Sequence, residues 1–336
     1  MRLVLRRGTV VEAGDAGGAE QSMVVDVDGD RRAAVADVSM VGSAEVGDEV
    51  VVNTQAVDLA LGSGGFDIVH VNLTRGLGGA GVPGAHVMKL NYSSLQHAVE
   101  TLEGGVLTVP LVAPVGVFSL HGQLAPVAWA LGQALPTTRV GYVQTQGGAL
   151  PASHSRVVSE LLDRGLLAAH VTAGAAYGGR DGEAISVAGA IQHGIAELGW
   201  DIALCGPGPG ILGSASALGH GGMFALDSAH AALALGAPVV LCARMSSSDP
   251  RERHRGLSHH TRTVLELLLA PVTVAVPSAE FEIGDPHETI VIDVDVFDYT
   301  SSGLPTTTMG RSIGEDPLFF AAALACGAAL ADRLAL

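Results

Sequence analysis

The sequence predicts an α/β protein: a small antiparallel β-barrel at the N-terminus, followed by a mainly parallel, doubly wound α/β domain. Two observations carry this. Residues 1–75 are short Val-rich runs separated by Gly and Asp, the pattern of short strands that close on themselves. From about Leu107 the rhythm changes to continuous apolar strands alternating with Gly-rich loops and Ala/Leu helices, the pattern of a parallel sheet covered on both faces. The expected division is a barrel over 1–75, a connector over 76–105 and an α/β domain over 106–336 that carries the site.

In the first part Leu3–Leu5, Val10–Val11, Met23–Val27, Ala33–Val35 and Glu49–Val52 read as strands, with a hairpin turn at Asp28-Gly29. Asp26 to Asp30 is not a calcium loop, because its glycine stands fourth rather than sixth and no Glu follows at the twelfth position. Gly76–Gly84 reads as a loop, and Ser93 or Ser94 as the cap of a short helix running to about Glu103. The second part predicts strands at Val115–Leu120, Val140–Val143, Leu167–Val171, Ile202–Cys205, Val239–Cys242 and Val272–Val276. Helical patterns lie at Ala125–Gln133, Ser155–Asp163, Ala184–Leu198, Ala225–Leu235 and Thr261–Leu269. A strand at Thr289–Val296 and a helix from about Asp316, with Pro317 in its first turn, complete the chain.

Composition narrows the function. Of 336 residues 48% are hydrophobic, ample for a sizeable core, but only 4% are aromatic, so the core is Val, Leu and Ala. The net charge of −16 argues against nucleic acid as a partner. Only Lys89 among the 18 basic residues is lysine, a bias that suits a GC-rich genome. Cys205, Cys242 and Cys326 lack the spacing of a disulfide framework or a zinc knuckle. The N-terminus has no long apolar run, and the most apolar stretch, Leu107–Leu135, is broken by Pro110, Pro114, His121 and Pro126. The expectation is a soluble, cytoplasmic chain with no membrane contact.

In an open α/β sheet, ligands sit beyond the carboxyl ends of the strands. Residues 246–262 leave one such end and are the densest polar stretch of the chain, with Arg251, Arg253, Arg255, Arg262, His254, His259 and His260. Guanidinium forks, imidazoles and hydroxyls together suit an oxyanion such as a phosphate or carboxylate. The expected anion site is Arg251, Arg253, Arg255 and Ser258, joined by Gly206, Gly208, Gly210 and Ser214 of a neighbouring loop. Ser258 also reads as the cap of the following helix, whose N-terminus adds donors. His121, His254 and His259 are the candidate acid/base groups, because imidazole titrates near neutrality.

Each reading has a plainer counterpart. Arg251-Glu252-Arg253 is also what a solvated charge run looks like, and His121 what a core histidine bonded to backbone looks like. His254, His259 and His260 form an alternative metal set, but adjacent histidines do not share a helix face and only Asp249 and Glu252 are near, so no cofactor is favoured. Gly208, Gly210 and Gly213 fit Gly-x-Gly-x-x-Gly, yet Pro207 and Pro209 remove N–H groups that a pyrophosphate needs. Ser119 and Ser153 are nucleophile candidates by type only, without a nucleophile elbow, and Ser153 reads more simply as a helix cap. Asp293, Asp295 and Asp298 end the last strand and read as solvated.

Three segments together resemble a known family: Ser119-Leu-His-Gly-Gln-Leu-Ala-Pro126, Gly206-Pro-Gly-Pro-Gly-Ile-Leu-Gly213 and Asp249-Pro-Arg-Glu-Arg-His-Arg-Gly-Leu-Ser-His-His-Thr261. The likeness extends to Asn53–Asp58, Gly147–Pro151 and Thr308–Arg311, and so covers nearly the whole chain. The family is the bacterial domain-of-unknown-function family 3866, which implies no activity, cofactor or catalytic residue. The chain departs from the family pattern at Gly213–Ser216 and Gly219–Gly222. The expected function is a soluble enzyme that binds a small anionic metabolite at the carboxyl edge of the sheet. The alternatives are a non-catalytic ligand sensor or adaptor and a metal-dependent hydrolase; the partners expected are the small ligand and, optionally, further copies of the chain in a homo-oligomer.

Overall fold

Five strands close the N-terminal barrel in the computed structural model, which describes residues 2–61, 64–148 and 151–335. They are β1 (Leu5–Ala13), β2 (Glu20–Val27), β3 (Asp30–Asp37), β4 (Glu49–Asn53) and β5 (Asp67–Asn72), with short helices α1 (Val38–Val41) and α2 (Gln55–Asp58) between them. The closure order is β1-β2-β3-β5-β4; all pairs are antiparallel except β3 with β5, which is parallel. This is the five-stranded Greek-key order of an OB-type barrel. Alternate residues point inward, so Val10, Val25, Val27, Val50, Val52 and Val69 form the barrel core. The hairpin turn falls at Asp28-Gly29, both with positive φ (54° and 91°), as a tight two-residue turn requires. Leu3–Leu5 and Val10–Val11 are not two strands: a single β1 starts at Leu5 and runs on through Val10–Val11, with a bulge between Val10 and Glu12.

No helix starts at Ser93 or Ser94. Strands β6 (Val87–Lys89) and β7 (His97–Val99) form an antiparallel hairpin there. Leu90 and Tyr92 take positive φ, and the Ser93 hydroxyl donates back to the Leu90 carbonyl, so the serine closes a turn instead of capping a helix. The chain separates into two compact units, Met1–Val99 and Glu100–Leu336.

The second unit is an eight-stranded, all-parallel sheet covered on both faces. In chain order it comprises β8 (Val115–Val117), α3 (Leu124–Ala134), β9 (Val140–Thr145), α4 (Arg156–Asp163), β10 (Ala169–Ala173), β11 (Gly182–Ala184), α5 (Val187–Ala196), β12 (Ile202–Pro207) and α6 (Phe224–Ala234). There follow β13 (Val239–Cys242), the small hairpin β14 (Met245–Ser246) with β15 (Gly256–Leu257), α7 (His259–Leu267), β16 (Thr273–Val276), β17 (Glu288–Val291), α8 (Val296–Thr300), the hairpin β18 (Thr307–Thr308) with β19 (Arg311–Ser312), and α9 (Pro317–Ala335).

Several predicted bounds move. The strand expected at Val115–Leu120 stops at Val117, and the tail strand ends at Val291, where Asp295 caps α8 by accepting from the Phe297 amide instead of standing on a solvated strand face. The start expected for helix 184–198 is β11, and Ser186 caps the shorter α5. Ser155, not Ser153, caps α4.

The sheet order is β11-β10-β9-β12-β8-β13-β16-β17. One face buries α5, α6 and α7, the other α3 and α9. The connection from β8 runs along the α3 face to β9, whereas that from β12 runs along the α6 face past β8 to β13. Connections that leave neighbouring strands in opposite directions open a crevice at their carboxyl ends. Helix α9 is long and apolar enough to cross a bilayer by length and composition, and 67% of its apolar window is buried in this fold, where it packs on α3 and the sheet.

Candidate functional site

The crevice beyond β8, β12 and β13 is where the chain concentrates its histidines. β13 is buried over its whole length and ends two residues before Arg244, which is 3% exposed. The Arg244 backbone is fixed from both sides: its N–H donates to Thr261 Oγ1 (2.8 Å) and its carbonyl accepts from the Ser258 N–H (2.9 Å). The β14–β15 hairpin then throws out the loop 247–255. Two fully buried carboxylates hold that loop. Asp316 accepts from Ser246 Oγ (2.6 Å), the Ser247 N–H (2.7 Å) and Arg311 Nε (2.9 Å). Asp249 accepts from Arg251 through Nε and Nη2, both at 2.9 Å, and from Arg311 Nη2 at 3.3 Å.

Those two carboxylates leave Arg244 poorly matched. Its ion pair to Asp249 is long, 3.9 Å. Its Nη1 instead donates to His260 Nδ1 at 2.7 Å, and its Nη2 faces the Met309 sulfur at 3.6 Å. Burial, and next the like charge of Arg251, pull its pKa down to about 10. A guanidinium bonded to a neutral ring and a thioether is an incompletely compensated buried charge.

Four imidazoles surround it. Ser258 caps α7, accepting from the His260 N–H (3.2 Å), and its hydroxyl meets His254 Nδ1 at 2.7 Å. His260 stacks on His220, with centroids 3.4 Å apart and planes 8° apart, and His259 packs edge-on against both. His220 Nε2 donates to the Ala217 carbonyl (2.9 Å), which leaves its Nδ1 as a lone pair. That Nδ1, His259 Nε2 and the buried Ser119 hydroxyl have no protein partner among the described residues. Gly222 lets them converge: a Cβ there would lie 3.0 Å from His220 Nδ1 and 3.3 Å from both His260 Nδ1 and Ser119 Cβ. Burial, with Arg244 adding to it, holds His254 at about 3 and His260 at about 2, and burial first also lowers His220 and His259. The rings are therefore neutral in the free protein.

The structure distributes the expected residues as follows. His254, His259, His260 and Ser258 lie together in this cluster. Arg251 is held on Asp249, Arg255 Nε donates to the Asp249 carbonyl (2.9 Å), and Arg253 is exposed at the rim, close enough to His259 to depress its titration. His121 belongs to a different group: its Nε2 meets Ser155 Oγ at 2.9 Å and its ring leans on Tyr142. Gly206 serves the core, since a Cβ there would strike the Phe118 ring at 2.1 Å. The Gly208 carbonyl packs against Gly148, Gly210 turns with φ 73°, and Ser214 bonds to Ser216 and the Gly219 carbonyl within its own loop. Of the segment 147–151, residues 149 and 150 lie outside those described.

Two members of the cluster escaped the sequence reading. Arg244 carried a signal, a lone charge directly after an apolar strand. His220 carried only its flanking glycines, which let a ring approach another ring.

Fold and cluster together define an α/β protein whose parallel sheet carries a neutral-histidine and arginine crevice at its carboxyl edge. The family described as protein of unknown function (DUF3866) matches residues 33–327, and the chain belongs to that family. No curated protein matches the chain. No solved structure matches it.

Proposed function

We propose that the protein is an enzyme that binds a small anionic, phosphate- or carboxylate-bearing metabolite in this crevice. Arg244 takes the negative charge, and His220 and His259 handle protons. The observation that carries the reading is Arg244 itself, buried with hydrogen-bond partners that bear no charge and only a long, 3.9 Å ion pair to Asp249. Arg244, Arg251 and Arg311 face two carboxylates, Asp249 and Asp316, so the cluster holds excess positive charge inside a chain of net charge −16. Each charge-assisted bond from a guanidinium to an oxyanion is worth roughly 1.5–3 kcal/mol. Two such bonds suit a site in the micromolar-to-millimolar range after association costs. A bound anion also offsets the field of Arg244 on the rings and moves them back toward neutral pH, so that proton transfer follows substrate binding. The partner-free His220 Nδ1, His259 Nε2 and Ser119 Oγ favour an enzyme over a non-catalytic sensor or adaptor, which needs no such groups.

A second reading, a metal-dependent hydrolase, has one observation in its favour: His220, His259 and His260 offer ring nitrogens within 4.8 Å of one another. Against it stands Arg244, which donates to His260 Nδ1 and repels a cation. Calorimetric titration separates the two. Phosphate is expected to bind the wild type and to lose at least tenfold in affinity with Arg244→Gln, while Arg253→Ala changes little. Stoichiometric zinc binding without phosphate binding would replace the anion reading with the metal reading.

A further inference from the structure

A second set of buried polar atoms without protein partners among the described residues lies on β9, β10 and the segments that follow β8 and β9, on the α3 side: His121 Nδ1, both amide atoms of Gln144, Ser153 Oγ and His170 Nε2. Tyr142 ties the group together. Its ring stacks on His170 (centroids 5.2 Å, planes 9° apart) and is tilted against His121 at 6.5 Å. Gln144 follows Tyr142 by two residues on the same strand face, in register with Thr172. Gln144 is 0% exposed and His170 1%.

This is not how the chain treats its other buried glutamines or the buried His287. Among the described residues two other glutamines are buried, and both are satisfied. Gln21 accepts from the Ala44 N–H (2.8 Å) and donates to the carbonyls of Gly14 and Ala44. Gln123 accepts from the Ser119 and Leu120 N–H groups and donates to the Ala243 carbonyl. The buried His287 likewise accepts from the Val272 N–H and donates to the Leu265 carbonyl. A fold that pairs these side chains and leaves the Gln144 amide, His121 Nδ1 and His170 Nε2 open has kept those atoms for something other than itself.

We propose that Gln144, His121 and His170 form a second subsite, which takes an uncharged, hydroxyl-rich group belonging to the same ligand whose anionic end meets Arg244. This rests on the anion site proposed above. The chemistry of the set is neutral. Burial lowers His121 to about 4 and His170 to about 3, so both are uncharged rings beside a carboxamide. The three side chains bear no charge of their own, and sugar-like hydroxyls, each donor and acceptor at once, match a carboxamide and two neutral imidazoles. The two subsites share one segment: in Ser119-Leu120-His121, Ser119 faces the His220 and His260 cluster and His121 faces Tyr142.

The test uses the full chain, with inorganic phosphate and ribose 5-phosphate as calorimetric probes. The sugar phosphate is expected to bind the wild type at least tenfold more tightly than phosphate. Gln144→Leu is expected to erase that advantage and leave phosphate binding unchanged. A second readout needs no ligand. Replacing a buried, unsatisfied amide by an apolar side chain of similar length is expected to raise the thermal midpoint of the free protein, whereas a glutamine that serves the fold would lower it. Equal affinity for the two probes, an advantage that survives in Gln144→Leu, or a lowered midpoint each overturns the second subsite and leaves the anion site standing if phosphate still binds. Binding of neither probe to the wild type removes both.

Discussion

Arg75 and Arg32 of the barrel unit and Arg244 of the α/β unit do opposite things. In the barrel, Arg75 forks onto Asp48 with bonds of 2.6 and 2.8 Å, and Arg32 reaches both Asp67 and Asp58. Hydrogen bonds to those carboxylates raise both guanidinium pKa values. In the α/β unit Arg244 is more deeply buried, yet its closest polar partner is a neutral ring and its pKa falls. The barrel uses its arginines as closed pairs that hold strands and turns together. The crevice keeps one arginine incompletely matched, which costs stability and leaves a charge for a ligand to meet.

The largest effect is expected where the crevice is closed. Asp249 is fully buried and accepts from Arg251 and Arg311. Asp249→Asn should cost about 3–5 kcal/mol, the usual result of breaking a buried ion pair. Urea unfolding followed by tryptophan fluorescence reads this unit alone, because Trp129 and Trp200 both lie in it. The barrel counterpart, Asp48→Asn, read by far-UV circular dichroism because the barrel unit holds no tryptophan, should cost less, about 1–3 kcal/mol, because Arg75 stays partly hydrated. A larger loss in the barrel variant would break the contrast.

Acid should separate the units next. His121, His170, His254 and His260 are held at about 4, 3, 3 and 2 in the fold, with burial the first cause of each, against an ordinary value of 6.5. The unfolded chain then binds more protons between those limits, so stability rises with pH across the window and is lost as pH falls from 6.5 toward 4. In the barrel, Asp48 is lowered from 3.8 to about 2 by Arg75, against the opposing pull of burial. Its contribution is lost only as pH falls from 3.8 toward 2. The urea midpoint read by tryptophan should therefore drop between pH 7 and pH 5. A midpoint that stays constant over that range would contradict neutral, buried histidines.

A smaller effect is expected at Ser258, which caps α7 and meets His254. Ser258→Ala should cost about 1–2 kcal/mol, the cap and one buried hydrogen bond together. A loss below a few tenths of a kcal/mol would mean that the hydroxyl orients neither the helix nor the ring.

The α/β unit was legible where the signal is local. Its strands and helices follow apolar runs and periodicity, and the carboxyl-edge loops follow from strand direction. The order of strands was not legible. Insertion of β12 between β8 and β9, and the parallel β3–β5 pair, depend on contacts between distant segments that no short pattern encodes. The polar loop 246–262 stood out in the sequence, but which of its arginines are held by carboxylates did not. That is decided by Arg311 and Asp316, some sixty to seventy residues further on, which fold back to share Asp249 and to anchor Ser246. Ser93 misled for a local reason, since a serine that closes a turn and one that caps a helix look alike until the next residues choose their φ.

The central claim is that Arg244 is kept for an anion at the expense of stability, and one pair of melting curves tests it most directly. The thermal midpoints of wild type and Arg244→Met are measured in buffer and over a phosphate titration. The account predicts that the Met variant melts at or above the wild-type temperature in buffer, because an incompletely matched buried charge has been removed, and that it then stays flat as phosphate rises. The wild type should climb with phosphate as mass action requires. A Met variant that melts well below the wild type and still climbs with phosphate would contradict the claim, and would make Arg244 one more structural arginine like those of the barrel.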